Sequence, residues 1–278
     1  MNNLIFSFNI WKDLVNMLSY DFMLHAFEAG TIVAIVAGVI GYFVVVRRSS
    51  FAAHALSHVG FTGAAGSVLL GLNPLSGLLT FTIGGGIFMA MLGRRAENRD
   101  VQIGNVLAFL LGLGVLFISL YAGYATEAYS LLFGEILGIS FHSVIITLIA
   151  GLLILIATGI IFRPLLFTSL DEDVAEAKGI SIQEINIAFM ILLAAAVSIS
   201  VQVVGVLLIF ALLVTPAAIA QQIARRPMQG IAISVLISLL ATWLGLFVSF
   251  YLPYPVSFFI VSIVFIIYLS VRLFQRLN

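Results

Sequence analysis

The sequence has 278 residues, of which 62% are hydrophobic and only 9% are charged. A soluble domain averages about 25% charged residues, so a chain this poor in charge must present much of its surface to lipid. Its twelve basic and twelve acidic residues cancel, which leaves no basic field for binding nucleic acid. The absence of cysteine excludes disulfides, thiolate metal sites and thiol redox chemistry.

The first 22 residues lack the basic start and the long apolar run of a signal peptide. Trp11, Lys12 and Asp13 lie among apolar residues there. We predict that residues 1–22 form a short amphipathic segment lying at the outer membrane–water interface.

Nine apolar runs follow, each of roughly 17 to 25 residues and therefore long enough to span a bilayer as a helix. They lie near residues 24–46, 51–72, 74–92, 101–123, 143–162, 185–202, 203–224, 229–251 and 254–271. The predicted fold class is therefore an all-α polytopic membrane protein with about nine transmembrane helices, and residues 1–278 form a single transmembrane domain.

The basic residues predict the orientation. If the nine spans alternate in direction, eleven of the twelve Lys and Arg residues fall on one side, and only Lys12 lies opposite. The positive-inside rule makes that side the cytoplasm. The N-terminus is then outside and the C-terminus is cytoplasmic, in a multi-pass protein of the cell membrane.

The longest cytoplasmic loop covers residues 163–183. Ser169 and Glu172 are spaced as a capping box, and Gly179 is suited to ending a helix. We therefore predict one short acidic helix near 170–178. Two interpretations of this helix stay open: it is a solvated connector, or it is a docking helix for a cytoplasmic partner.

Ionisable residues inside apolar spans are costly and often mark a transport path. Such residues in the first two spans are His25, Glu28, His54 and His58, and Glu135 and His142 lie in the outer segment before the fifth span.

His54 and His58 are four residues apart and therefore lie on one helix face. Neutral imidazole is a common ligand for zinc, and this spacing lets two nitrogens reach one ion. A role in packing alone is the alternative. The stretch from His54 to His58 lacks the glutamate of the HExxH motif, so it does not predict a protease.

The second span is otherwise built from small residues, among them Gly60 and Ala64, and Gly63 and Ser67. Small residues four apart let helices approach closely. We therefore expect this span to be buried among other helices or at a dimer seam.

Four stretches resemble the membrane permeases of bacterial manganese, zinc and iron ABC importers, over about residues 24–270. They are Gly41-Tyr-Phe-Val-Val-Val-Arg-Arg-Ser-Ser-Phe-Ala-Ala-His54-Ala-Leu-Ser-His58, Leu131-Leu-Phe-Gly-Glu-Ile-Leu-Gly138, Asp171-Glu-Asp-Val-Ala-Glu-Ala-Lys-Gly-Ile180, and the stretch from Val204-Gly-Val-Leu-Leu to Leu-Leu-Val-Thr-Pro-Ala-Ala-Ile-Ala220. Their order and spacing together are specific to that family.

This resemblance implies a permease dimer, most simply a homodimer, with the metal passing along the seam. It also implies two cytoplasmic ATP-binding subunits, which the acidic helix would contact through Asp171, Glu172, Ala175 and Gly179, and an extracytoplasmic metal-binding protein. The sequence lacks a G-x-x-x-x-G-K-[ST] phosphate loop, so ATP hydrolysis is expected on separate subunits and this chain is not itself the enzyme.

The family usually has aspartate where this sequence has His54, while the histidine at His58 is retained. Replacing a carboxylate by an imidazole favours zinc over manganese as the transported ion. Glu28, where the family is generally apolar, is a further candidate ligand that would restore a carboxylate. No permanently bound cofactor is expected.

Two other functions are open. A secondary carrier for metal ions or small solutes, driven by an ion gradient, often has two similar halves, and no such halves are evident here. A membrane-embedded enzyme is disfavoured, because no nucleophile, base or acid pair converges in the pattern.

Overall fold

The computed structural model describes residues 10–92, 96–121, 134 and 136–277. Within these ranges the chain forms eleven helices and no strand. In chain order they are α1 (Ile10–Leu18), α2 (Asp21–Val46), α3 (Ser50–Leu69), α4 (Pro74–Met91), α5 (Ala96–Ser119), α6 (Phe141–Ile160), α7 (Phe162–Leu170), α8 (Glu172–Ala177), α9 (Ile182–Ile223), α10 (Pro227–Tyr251) and α11 (Val256–Leu277).

In the described part of the chain, seven segments are both long and apolar enough to cross a bilayer. They belong to α2, α4, α5, α6, α9, α10 and α11. Helix α3 has 20 residues, enough for a span, but its histidines and small residues lower its hydropathy. The prediction of an all-helical, polytopic membrane protein is confirmed.

Helices α2 and α9 form the centre of the bundle, because they are the most deeply buried of the seven segments. Helix α2 packs mainly against α9, α10 and α6. Gly41 and Gly38 permit close approach: a Cβ atom at Gly38 would lie 2.6 Å from the Cα atom of Val235 in α10. A Cβ atom at Gly41 would collide with the backbone carbonyl of Leu213 in α9.

Helix α9 has 42 residues but is not straight, since Gly205 adopts φ 82° and ψ 165°. Asn186 and Leu213 both lie beside α2, against Arg47 and Gly41 respectively. A straight helix would place Asn186 and Leu213 about 40 Å apart, whereas Gly41 and Arg47 are separated by about 9 Å along α2. The chain therefore reverses at Gly205. The sequence placed this split near Gln202.

We name residues 182–204 α9a and residues 206–223 α9b. Pro216 lies inside α9b and has no N–H, so the carbonyl of Leu212 lacks its helical donor. The Ser238 hydroxyl of α10 donates to this carbonyl at 3.5 Å.

Helix α3 packs between α4 and α5, as its small residues predicted. A Cβ atom at Gly63 would collide with the backbone carbonyl of Gly77 in α4, and the Thr62 hydroxyl donates to the Leu110 carbonyl of α5 at 2.6 Å. The hydroxyls of Thr82 and Ser198 lie 2.5 Å apart and join α4 to α9a. The histidine-bearing helix is thus held in the bundle by close contacts on two sides.

In residues 163–183, the structure differs from the prediction in two respects. It contains an additional helix, α7, before the short acidic helix α8. The capping box of Ser169 and Glu172 was wrong: Ser169 lies within α7 and donates to the Leu165 carbonyl, whereas the Asp171 carboxylate accepts from the Val174 N–H at 3.0 Å. Aspartate caps as well as serine, and Asp171 is two residues nearer to the helix than Ser169.

At the N-terminus, α1 packs against α2. Asp13 is almost fully buried there and accepts a hydrogen bond from the Tyr251 hydroxyl at the end of α10. Residues 1–9 and the side chains of Trp11 and Lys12 lie outside the described part, so the proposed interfacial position of residues 1–22 stays a prediction.

Candidate functional site

The imidazoles of His54 and His58 meet on one face of α3. Their ring centroids are 4.7 Å apart, and the rings are nearly perpendicular at 81°. Both residues are half-buried, whereas the neighbouring Ala55, Leu56 and Ser57 are buried. The i, i+4 spacing therefore forms the pair that the sequence predicted, on the one face of this part of α3 that the chain leaves partly uncovered.

Each imidazole of the pair has a ring nitrogen without a hydrogen bond. The Nδ1 atoms of His54 and His58 are buried, and neither has a hydrogen-bond partner in the part of the chain that the structure describes. A neutral imidazole has one acceptor nitrogen that can hold a hydrogen bond or a metal ion. Both Nδ1 atoms are covered by the chain, so an external ligand would reach them only after the imidazole rings turn.

A third ring completes the surroundings of the pair. Phe210 of α9b lies with its ring centroid 4.9 Å from that of His54, at an interplanar angle of 65°. This contact fixes one side of the His54 imidazole. Nothing in the sequence pointed to Phe210, because it lies in a long apolar run and is 156 positions from His54.

The open side of the pair continues onto α9b. Leu207 is 51% exposed, and Phe210, Val214 and Ala218 are partly exposed at helical spacing. The uncovered stripe of α3 thus adjoins an uncovered stripe of α9b, and together they form one face that we call the histidine face.

The other predicted candidates lie apart from the pair. Glu28 is exposed in the N-terminal part of α2, about 27 Å along the helix from Val46. His54, by contrast, lies one turn from the end of α3 that follows Val46. The structure therefore does not bring Glu28 to the histidine pair.

The two described candidates, His25 and His142, do not belong to a metal-binding cluster either. His25 contacts the Phe141 ring at 5.7 Å, and His142 is exposed beside it. Glu135 lies outside the described residues. Across those residues, no group of three or more His, Asp or Glu side chains is placed to hold a metal ion. Within the described residues, the pair therefore belongs to no larger cluster of such side chains.

The acidic helix α8 presents the four residues that the sequence selected. Asp171, Glu172 and Gly179 are exposed, whereas Ala175 is fully buried. The Lys178 ammonium lies 4.2 Å from the centroid of the Phe167 ring and holds the end of α8 against α7.

A Schellman motif ends this helix. Gly179 has φ +76°, its N–H donates to the Glu176 carbonyl at 2.9 Å, and the Ile180 N–H donates to the Ala175 carbonyl at 3.1 Å. No heavy atom lies within 4 Å of a Cβ atom built at Gly179. The glycine is therefore required for its backbone conformation and not for lack of space.

These features define a class before any comparison: a multi-pass helical membrane protein with a half-buried imidazole pair and an exposed acidic helix. Residues 19–275 match the family described as the ABC 3 transport family. The manganese import system permease protein ScaB of Streptococcus gordonii is 33% identical over 232 residues, which are 83% of each chain. The high-affinity zinc uptake system membrane protein ZnuB of Haemophilus influenzae is 29% identical over 83% of this chain and 88% of its own.

The fold agrees with a solved structure as well. The structure described as PsaBC from Streptococcus pneumoniae in complex with Fab has a TM-score of 0.84 and 30% identity, and the match covers 94% of this chain and 95% of that chain. This chain therefore belongs to the ABC 3 transport family and is a multi-pass bacterial membrane protein, which confirms the resemblance found in the sequence.

Proposed function

We propose that this chain is the permease subunit of an ATP-driven importer of divalent metal ions. The observation that carries the proposal is the pair of half-buried imidazoles, His54 and His58, whose Nδ1 atoms have no hydrogen-bond partner among the described residues. The family and the names of the relatives, one of a manganese system and one of a zinc system, point to the same cargo class.

Zinc is the favoured cargo, with manganese second. Imidazole is a borderline ligand that suits zinc, whereas manganese prefers oxygen donors. Within the described residues the pair has no carboxylate beside it, and the position of Glu28 near the outer end of α2 argues against its completing this site. Glu28 is still a candidate ligand for an earlier step on the metal transport path.

A permease dimer would complete the site. Zinc takes four ligands in closed sites, and two copies that meet at the histidine face would offer four imidazoles. Burial against a second copy would also remove two imidazoles from lipid, where they are costly. A homodimer is the simplest arrangement, because the same face then serves both partners.

We further propose nine membrane spans, an outer N-terminus and a cytoplasmic C-terminus, in a single transmembrane domain. The count follows if α3 crosses the membrane and α9 contributes two spans, which the contacts of Asn186 and Leu213 with α2 favour. Arg47, Arg163 and Arg225 then fall on one side, as the positive-inside rule requires.

In this orientation α8 faces the cytoplasm and would dock a separate ATP-binding subunit. The exposed Asp171 and Glu172 would contact that subunit, while the buried Ala175 anchors the helix on the permease. Two such subunits would serve a dimer, and an extracytoplasmic metal-binding protein would deliver the ion from the other side.

The test is metal uptake into proteoliposomes that contain the permease, its ATPase and the binding protein. Uptake of zinc or manganese should require ATP and should persist when ionophores collapse the ion gradients. Uptake driven by a gradient without ATP would instead support a secondary carrier. For the cargo, His54→Asp should keep uptake and shift the ratio of zinc to manganese toward manganese, because a carboxylate is the harder ligand. An unchanged ratio would remove His54 from the selectivity site.

A further inference from the structure

Arg47, the residue that ends α2, reaches two other segments of the chain. One guanidinium nitrogen, Nη1, donates to the Thr168 hydroxyl at 3.0 Å and to the Ser169 hydroxyl at 3.3 Å, at the end of α7. The other, Nη2, donates to Oδ1 of Asn186 near the start of α9a at 3.3 Å. A single side chain thus joins α2 to the two elements that flank α8.

The acceptors of Arg47 are themselves held in place. The hydroxyls of Thr168 and Ser169 both donate their protons to the Leu165 carbonyl, which turns their oxygen lone pairs toward the guanidinium. Thr168 is 3% exposed, and the Arg47 guanidinium lies 5.2 Å from the centroid of the buried Phe189 ring. Hydrogen bonds from an ionised donor in such a partly dry site are among the strong ones.

Asn186 extends this network to α4. Its Nδ2 donates to the Ala90 carbonyl at 3.2 Å, and Gln183 donates to the same carbonyl at 3.5 Å. Ala90 is in the last turn of α4, where helix carbonyls have no intrahelical partner. The ends of α2, α4, α7 and α9a therefore meet at the hydrogen bonds of Arg47 and Asn186.

This meeting point lies between α8 and the histidine pair. Ser169 is two residues before Asp171, the N-cap of α8. On the other side, the Ser49 hydroxyl donates to the Arg47 carbonyl at 3.3 Å, and α3 starts at Ser50, four residues before His54. A cavity of about 400 Å³ adjoins Arg47, Asp171 and Asn186.

We propose that Arg47 is a positioning residue that transmits movement of α8 to the membrane helices, so that ATP hydrolysis on the partner subunit moves α2 and α3. This inference rests on the proposed function, since it presumes an ATPase docked on α8. Arginine is needed because its planar fork holds acceptors on two elements at once, whereas lysine offers a single point of charge.

The test compares Arg47→Gln with Arg48→Gln in the reconstituted complex of permease, ATPase and binding protein. Arg48 is the adjacent residue of equal charge, it is exposed, and it lines the same cavity. The readout is the number of metal ions transported per ATP hydrolysed. We expect Arg47→Gln to keep ATP hydrolysis within about twofold of wild type and to lower this ratio at least tenfold. Arg48→Gln should leave the ratio unchanged, and Arg47→Lys should fall between them.

A second variant keeps the test decisive if Arg47→Gln assembles poorly. Thr168→Val combined with Ser169→Ala removes the α7 acceptors but leaves Arg47, Asn186 and Phe189 in place, so it should lower the ratio in the same direction. An assembled Arg47→Gln or double variant with the wild-type ratio would overturn the role of Arg47. Failure of the wild type to transport metal with ATP would instead refute the proposed function, so the two failures are distinguishable.

Discussion

Replacing Gly41 by alanine tests the contact between α2 and the returning half of α9. A Cβ atom there would collide with the Leu213 carbonyl oxygen and would lie 2.9 Å from the carbonyl carbon and 3.3 Å from Cα. All three atoms belong to the backbone, so no side-chain rotation can relieve the overlap, and the helices must separate. Overpacking of this kind costs about 1–3 kcal/mol, and we expect the upper end of that range.

Gly84→Ala in α4 is the matched control, because no heavy atom lies within 4 Å of a Cβ atom built at Gly84. Both substitutions gain up to about 1 kcal/mol of helix propensity, so the two variants should differ by about the overpacking cost alone. At roughly 2–4 °C per kcal/mol for a chain of this size, Gly41→Ala should melt roughly 5–10 °C below Gly84→Ala in detergent, as followed by size-exclusion chromatography of heated samples. Equal melting temperatures would mean that Leu213 does not lie against α2, and the reversal at Gly205 would be wrong.

Three further predictions concern the topology, the docking helix and a buried hydrogen bond. Single cysteines at Glu184, in the first turn of α9, and at Met228, in the first turn of α10, should both label from the cytoplasmic side; labelling from opposite sides would mean that α9 crosses only once. Gly179→Leu, which places a side chain at φ +76°, should leave membrane insertion intact but uncouple ATP hydrolysis from transport, and normal coupling would make the loop a plain connector. Thr82→Val removes the hydroxyl that faces Ser198, so it should lower stability by only about 0.6 kcal/mol, the average for such bonds between membrane helices; a loss of several kcal/mol in thermal melts would contradict this.

The sequence predicted the helical class and most helix positions, because apolar runs of about 20 residues have a single satisfactory structure in lipid. It also predicted the burial of α3, since glycines such as Gly63 serve only close packing. The sequence did not identify the capping residue of α8 correctly. Ser169 and Asp171 are both good caps and stand two positions apart, and the structure uses Asp171. The break in α9 fell at Gly205 and not near Gln202, at the residue that tolerates a positive φ.

The site was predictable only where its residues are near in sequence. His54 and His58 share a face because of their spacing, and the structure places them together. Phe210 and the partners of Arg47 come from distant segments, and their positions depend on how whole helices pack. The position of Glu28 relative to the histidine pair could not be predicted either. An ionisable residue in a span indicates a functional role, but the sequence does not give the depth at which its partners lie.

The most direct test of the central claim is uptake by His58→Ala compared with Ser57→Ala in the reconstituted, ATP-driven complex at matched protein levels. Ser57 is the preceding residue on α3, and its buried hydroxyl donates to the His54 carbonyl within the same helix. We predict that His58→Ala reduces zinc and manganese uptake to background while Ser57→Ala retains it. Wild-type uptake by an assembled His58→Ala complex would show that the imidazole pair serves packing alone and does not lie on the metal path.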